Sequence, residues 1–199
     1  AAMMARRWRT ASLVALFAAT LSACQKAPAA PPLPILPIGG DFELTGDDGR
    51  PFTLASQRGK VVLIFFGYSS CPDACPTTLS KLSTAVRKLG DDGKRVRALY
   101  VSVDPERDTP EVLKADLANF TLDAVGLTGT KAQIDKVVEQ YGASYKIVLT
   151  PQSAAKYTIS HTTAVFALDT SGRVRTMFPY EASVDEVVSG IRAILSAAS

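Results

Sequence analysis

The chain contains apolar runs of strand length, separated by segments whose apolar residues repeat at helical spacing. Residues 61–66 form an uninterrupted apolar run, and residues 96–103 form a largely apolar one. Runs of this kind are typical of strands that are buried on both faces of a parallel sheet. In four further segments apolar residues recur every three or four positions, which predicts helices over residues 76–90, 109–120, 130–141 and 183–195.

Turn residues and helix caps predict the remaining elements. Hairpins are expected where two strand-like runs flank a turn, at residues 42–54 and at residues 164–178, with a short additional strand at 125–127. Capping boxes are expected at two helix starts, formed by Thr130 with Gln133 and by Ser183 with Glu186.

Strands and helices alternate along the chain, which ends in a hairpin followed by a helix. This order predicts an α/β domain over residues 41–199: a thioredoxin-like mixed sheet with helices on both faces and an N-terminal hairpin. In open α/β sheets, ligands bind beyond the carboxyl ends of the strands. Cys71 and Cys75 follow directly after the first buried strand, so we expect the functional site at that edge of the sheet.

The N-terminal segment has the features of a bacterial lipoprotein signal. Arg6, Arg7 and Arg9 precede an apolar stretch at residues 11–20 that is too short to span a bilayer of about 30 Å as a helix. The next residues, Leu21-Ser22-Ala23-Cys24, resemble a lipobox, in which the cysteine is lipidated after cleavage. We therefore expect a signal peptide at residues 1–23 and a lipid anchor on Cys24; the alternative is an ordinary signal peptide with a chance cysteine.

The composition after the signal predicts a linker and excludes one class of partner. Residues 24–40 are rich in proline and alanine, which favours an extended, semi-rigid spacer. The chain has 22 lysines and arginines against 19 aspartates and glutamates, and three of the arginines belong to the predicted signal. The mature chain is therefore close to neutral. This excludes nucleic acid as a partner, because a nucleic-acid-binding protein needs a clustered surplus of basic residues.

Both cysteines of the predicted domain lie in one segment, Gly67-Tyr68-Ser69-Ser70-Cys71-Pro72-Asp73-Ala74-Cys75-Pro76, called here the cysteine loop. Pro76 fits the first position of a helix, so we expect Cys71 and Cys75 in a loop that ends at a helix N-terminus. The free N–H groups and the dipole of a helix start lower the pKa of a nearby thiol, which favours a reactive pair. The alternative is a structural disulfide, although so short a loop gains little stability from closure.

His161 is the only histidine in the chain and precedes the strand predicted at residues 164–168. In a thioredoxin-like fold the loop entering this strand lies beside the cysteine loop, so we expect His161 to join Cys71 and Cys75. Two thiolates and one imidazole form a soft, three-donor site. Structural zinc takes four ligands and a fourth is not evident, so copper, as Cu(I) or Cu(II), fits the donors best.

Three parts of the chain together resemble the SCO/SenC family of copper-binding assembly factors for cytochrome c oxidase. They are the cysteine loop with its flanking Phe65-Phe66 and Thr77, the segment Val101-Ser102-Val103-Asp104-Pro105-Glu106-Arg107-Asp108-Thr109-Pro110, and His161. The resemblance covers residues 41–195. It implies that Cys71, Cys75 and His161 bind copper, that the cysteines can instead form a disulfide, and that the protein serves the CuA centre of an oxidase subunit.

Together with the lipobox, the resemblance implies a metallochaperone of the bacterial cell envelope, lipid-anchored at the periplasmic face of a membrane. The implied partners are the CuA subunit of cytochrome c oxidase and an upstream copper donor. The alternative is a thiol-disulfide oxidoreductase that reduces the CuA-site cysteines. Thioredoxin-type oxidoreductases have two residues between their cysteines, and the three found here favour metal binding. A peroxiredoxin-like peroxidase is a third alternative, disfavoured by the nearby second cysteine.

Two further residues are candidates for supporting the site. Asp104 follows a predicted strand at the same sheet edge, so we expect it either beside the ligands, as a supporting or oxygen-donor residue, or as a loop cap before Pro105. Tyr68 is expected either to line the site or to pack in the core.

Overall fold

A computed structural model describes residues 33–197 of the chain. The elements, in chain order, are β1 (Glu43–Gly46), β2 (Pro51–Thr53), β3 (Val61–Gly67), α1 (Ala74–Lys88), β4 (Val96–Ser102), α2 (Pro110–Leu117), β5 (Ala124–Thr128), α3 (Lys131–Gln140), β6 (Tyr145–Thr150), β7 (Lys156–His161), β8 (Val165–Leu168), β9 (Val174–Phe178) and α4 (Val184–Ala197). No helix within this part of the chain is long and apolar enough to cross a membrane. The predicted signal peptide and Cys24 lie outside the described residues.

Seven strands form one mixed sheet in the order β2-β1-β5-β4-β3-β8-β9. The central strands β5, β4 and β3 are parallel, and an antiparallel hairpin flanks them on each side. All seven residues of β3 are buried, as expected for a central strand with both faces covered. The predicted mixed α/β sheet is thereby confirmed, with the N-terminal hairpin β1–β2 at one edge.

The two faces of the sheet contribute to separate cores because successive side chains of a strand point to opposite sides. On one face, Leu63 and Phe65 of β3 belong to a cluster with buried residues of α1, α2 and α4. On the other face, Val62 and Ile64 belong to a cluster with buried residues of α3. The helices therefore cover both faces, and the carboxyl end of β3 emerges between the two cores.

Local capping holds the helix starts as predicted. Thr130 and Gln133 form a capping box at the start of α3, each side chain bonding the backbone N–H of the other residue. Ser183 and Glu186 make the same exchange before α4. These bonds satisfy N–H groups that have no partner inside a helix.

Residues 33–40, the last part of the predicted linker, lie against the domain. Leu36 donates its backbone N–H to the carbonyl oxygen of Val174 in β9 at 2.9 Å. Arg175 donates to the carbonyl oxygens of Leu33 and Pro34. The same guanidinium pairs with buried Asp169. The chain is therefore fastened to the domain before it enters β1.

A second, two-stranded sheet, β6–β7, was not predicted. The strands pair antiparallel from Tyr145 opposite His161 to Thr150 opposite Lys156. His161 is therefore the last residue of a strand, and its expected place in a loop before β8 is wrong. The apolar residues of β6 are consecutive and exposed, so no alternation along this segment indicated a strand.

Helix α1 begins at Ala74, two residues before the predicted start at Pro76. Proline is tolerated at this third helical residue because N–H groups in the first turn have no intrahelical partner. Cys75 therefore lies within the first turn of α1, and only Cys71 lies in the loop before it.

Replacing Ile191 by alanine is expected to lower the free energy of unfolding by about 2–5 kcal/mol, because it removes buried atoms and leaves a cavity. Ile191 lies on α4 with no exposed surface, within the cluster that includes α1. Urea denaturation followed by circular dichroism measures the change. Val112→Ala is the control, since its side chain on α2 is exposed and its loss is expected to change stability by about 0.5 kcal/mol or less. Equal losses in the two variants would contradict the described packing.

Candidate metal centre

The donor atoms of Cys71, Cys75 and His161 come together at the carboxyl end of β3. The two sulfurs and a ring nitrogen all lie within 4.8 Å of one another. Cys75 Sγ is 3.5 Å from His161 Nε2. Within residues 33–197, no other group of three or more Cys, His, Asp or Glu side chains is arranged closely enough to hold a metal ion. The structure thus brings together the three ligand candidates named from the sequence.

The imidazole of His161 is oriented by contacts on both of its sides. Its Nδ1 lies 3.0 Å from the carbonyl oxygen of Thr162. Because a carbonyl only accepts hydrogen bonds, this contact places the ring proton on Nδ1 and leaves the lone pair of Nε2 facing Cys75. Phe65 and Tyr68 pack edge-on around the ring, with centroid distances of 5.9 and 5.8 Å. In metal-binding histidines, the ring nitrogen that does not bind the metal usually donates a hydrogen bond, as Nδ1 of His161 does to Thr162.

The two thiols differ strongly in acidity. A hydrogen bond from the Cys75 side chain lowers the pKa of Cys71 to about 3, assisted by backbone N–H groups and opposed by partial burial. The same bond, together with burial, raises the pKa of Cys75 above its ordinary value. Cys71 is therefore a thiolate at neutral pH, while Cys75 retains its proton.

The three ligand candidates also differ in accessibility. Cys71 and His161 line a shallow cleft of about 270 Å³ together with Tyr68 and Pro72. Cys75 is only 2% exposed and lies beneath them. A metal ion or a partner thiol entering from solvent therefore reaches Cys71 and His161 first.

Asp108 fixes the start of the cysteine loop. Its fully buried carboxylate accepts hydrogen bonds from the backbone N–H of Ser69 at 3.0 Å and from the hydroxyls of Ser69 and Ser102 at 2.5 and 2.6 Å. Ser102 ends β4, so these bonds tie the loop that follows β3 to the end of the neighbouring strand. Asp108 belongs to the motif quoted above, but no role for it was inferred from the sequence.

Arg107 fastens the β6–β7 hairpin to the main sheet. Its guanidinium pairs with Asp104 and lies 3.8 Å from the centre of the Tyr157 ring. The hydroxyl of Tyr157 donates to Asp104 at 2.8 Å. Because Tyr157 and His161 lie on the same strand, Asp104 and Arg107 hold the strand that carries the histidine.

Asp104 and Tyr68, the two residues expected to support the site, both form hydrogen bonds with the β6–β7 hairpin. Asp104 is buried and bonded to Arg107 and Tyr157, and it is not among the residues whose ligand atoms meet at the site. Tyr68 lines the cleft, and its hydroxyl lies 2.7 Å from Thr158 Oγ1 and accepts from the N–H of Ile159 at 3.2 Å. These roles were missed from the sequence because they depend on a hairpin that its pattern did not indicate.

Comparison with known sequences identifies the family. The sequence model of the SCO1/SenC family matches residues 33–196. A SCO2-like protein of Rickettsia prowazekii is 36% identical over 151 residues, which are 76% of this chain and 74% of that protein. The chain belongs to the SCO1/SenC family.

Solved structures share this fold. ScoI of Bradyrhizobium japonicum, determined with copper bound, is 39% identical with a TM-score of 0.71, over 79% of this chain and 99% of that chain. BsSco, described as having a disulfide switch and as a member of the Sco family of cytochrome c oxidase assembly proteins, is 25% identical with a TM-score of 0.64, over 83% of this chain and 96% of that chain.

Alkylation of Cys71 by iodoacetamide is expected to proceed at a nearly constant rate between about pH 5 and pH 8. The lowered pKa of Cys71 keeps its sulfur ionised above about pH 3, and the thiolate is the reacting form. Mass spectrometry of the modified peptide measures the rate. Cys75→Ala removes the hydrogen-bond donor, so alkylation of Cys71 in this variant should again rise with pH. A steep pH dependence in the unaltered chain would contradict the assigned acidity.

Replacing Arg107 by methionine is expected to accelerate amide hydrogen exchange in β6 and β7 by roughly 10- to 100-fold, since a hydrogen-bonded charge pair on the hairpin is lost. Exchange in β3 and β4 should change less. Arg95→Met is the matched control, because Arg95 pairs with Asp92 on the surface, where such pairs contribute little. Unchanged exchange in the hairpin would contradict the fastening role of Arg107.

Proposed function

We propose that this member of the SCO1/SenC family binds copper through Cys71, Cys75 and His161 and delivers it to the CuA centre of a cytochrome c oxidase subunit. The proposal is carried by the convergence of three soft donor atoms within 4.8 Å. The similarity to ScoI of Bradyrhizobium japonicum, a structure with copper bound, supports it. So does the similarity to BsSco, whose family is described as one of cytochrome c oxidase assembly proteins.

The donor set fits copper better than zinc. Thiolates prefer Cu(I), and an imidazole suits copper in either oxidation state. Structural zinc sites are closed by four protein ligands, whereas within the described residues this group consists of three. The open cleft beside Cys71 and His161 suits a cargo ion that must enter and leave.

In the metal-free site only one of the two sulfurs is already in the thiolate form that binds copper. Cys71 is already ionised and exposed to the cleft, whereas Cys75 must lose its proton before its sulfur can act as a ligand. Acidification therefore weakens binding, because protons compete with copper for the buried sulfur. The proton released at Cys75 leaves to solvent.

The proposal also covers the cellular location of copper transfer. A lipid on Cys24 would hold the domain at the periplasmic face of a bacterial membrane, on the same side as the CuA subunit and an upstream copper donor. The support for this part is the sequence of residues 21–24, which resembles a lipobox.

A second function, thiol-disulfide exchange, is favoured by the unequal acidity of the two cysteines. The Cys71 thiolate would attack a disulfide between the CuA-site cysteines and form a mixed disulfide, releasing one thiolate of the partner. Cys75, after losing its proton, would then displace the second partner sulfur. The partner gains two electrons and ends as a dithiol, and this chain ends with a Cys71–Cys75 disulfide.

Titration of the reduced chain with Cu(I) and Cu(II), followed by thiolate-to-copper charge-transfer absorption, tests the proposal. Cys71→Ser, Cys75→Ser and His161→Ala should each weaken binding by more than the roughly 10- to 100-fold typical of a supporting residue. Cys24→Ser is the control and should bind copper like the unaltered chain.

Two results would overturn parts of this proposal. Unchanged copper affinity in His161→Ala would exclude the three-ligand site. Strong reduction of a CuA-subunit disulfide, combined with negligible copper affinity, would establish thiol-disulfide exchange as the function in place of copper binding.

A further inference from the structure

Tyr100 on β4 carries a buried hydroxyl that lacks a hydrogen-bond partner. The residue is 1% exposed, and its Oη belongs to the few buried side-chain polar atoms of the described residues without a partner. Buried polar atoms are nearly always paired, so an orphaned hydroxyl calls for a specific explanation. The ring itself packs against Phe65 of β3, so packing accounts for the ring and not for the oxygen.

The hydroxyl lies near one of the metal-ligand candidates. A Cβ atom built on Gly67 would lie 2.8 Å from Tyr100 Oη and equally 2.8 Å from Cys75 Sγ. Both atoms therefore lie next to the bare Cα of Gly67, and no side chain of Gly67 separates them. Any side chain at position 67 would displace one or the other.

We propose that Tyr100 Oη donates a hydrogen bond to Cys75 Sγ when this sulfur is a metal-bound thiolate, and thereby strengthens metal binding. The inference rests on the proposed function. A protonated thiol is a weak acceptor, and in the metal-free chain the hydroxyl has no hydrogen-bond partner. Metal binding removes the thiol proton and turns the sulfur into a charged acceptor, to which hydrogen bonds are stronger. Tyr100 is thus a positioning residue that acts through Cys75.

This role predicts opposite effects on the two forms of the protein. Tyr100→Phe removes one oxygen and keeps the ring, so the metal-free chain loses only an unpaired buried hydroxyl. Its thermal midpoint should therefore stay equal or rise. The metal-bound form loses a hydrogen bond, so affinity for the metal should fall by about 10- to 100-fold. A purely structural role would instead lower the stability of the metal-free chain.

Tyr141→Phe is the matched control. Tyr141 is also buried, but its hydroxyl donates to the carbonyl oxygen of Gly40 at 3.2 Å, away from the ligand atoms. This variant should have a lower thermal midpoint without metal and an unchanged metal affinity. The pair of variants therefore separates loss of a structural hydroxyl from loss of one that acts on the bound metal.

The experiment uses the reduced mature chain, titrated separately with Cu(I) and with Cd(II), a thiolate-preferring probe metal. Reduced affinity of Tyr100→Phe for the bound metal, with undiminished stability of its metal-free form, is the expected result. Equal affinity in the variant and the unaltered chain, or a destabilised metal-free variant, would overturn the role of Tyr100. An unaltered chain that binds Cd(II) but not Cu(I) would contradict the proposed function, and the Cd(II) comparison would still decide the role of Tyr100; binding of neither metal would contradict both.

A measurement on the unaltered chain does not depend on how the variant folds. With tyrosine labelled by ¹³C at Cζ, the Tyr100 resonance should shift when diamagnetic Cu(I) or Cd(II) is added, because its hydroxyl gains an acceptor. The Tyr141 resonance should remain in place. A Tyr100 resonance that does not move on metal binding would overturn the proposal.

Discussion

The contact between the first turn of α1 and the end of β7 is the interaction on which the site depends. It joins Cys75 to His161, which are 86 positions apart in the chain. The sulfur is held by the central sheet, since β3 leads into the cysteine loop and Asp108 ties that loop to β4. The imidazole is held by a hairpin outside that sheet. The three donor atoms stay close together only if the hairpin keeps its position relative to the central sheet.

Isolated two-stranded sheets are marginally stable in water, so the β6–β7 hairpin needs its contacts with the main domain. Buried Ile159 and the bonds of Tyr68 and Arg107 provide them. All of these contacts lie on β7 or beside it, whereas β6 adds the hydrogen bond from the hydroxyl of Tyr145 to Asp135 at 2.6 Å and is otherwise mostly exposed. The strand that carries the histidine is therefore the better anchored of the two, which is what a rigid ligand requires.

Local patterns predicted the elements whose signals lie within a single segment. The apolar run at residues 61–66 and the Thr130–Gln133 capping box are examples, since burial and capping leave marks on neighbouring residues. The proximity of His161 to Cys71 and Cys75 was predicted from the likeness to a thioredoxin-like fold. No local pattern of apolar residues indicated it, because His161 and Cys75 are 86 positions apart in the chain. The start of α1 was misplaced because proline is tolerated throughout the first helical turn, so Pro76 did not identify its first residue. The unpaired hydroxyl of Tyr100 could not be predicted from the sequence, because it results from the packing of β4 against β3.

The unequal thiols by themselves serve metal binding and disulfide exchange equally well, since both begin at an ionised, accessible Cys71. His161 separates the two. Disulfide exchange needs an attacking and a resolving sulfur but no imidazole held with its lone pair toward them. Here Thr162 fixes the Nδ1 proton and turns Nε2 toward Cys75, an arrangement that histidine ligands of metal sites share. The orientation of this ring is therefore the strongest structural argument for the proposed role of His161 as a metal ligand.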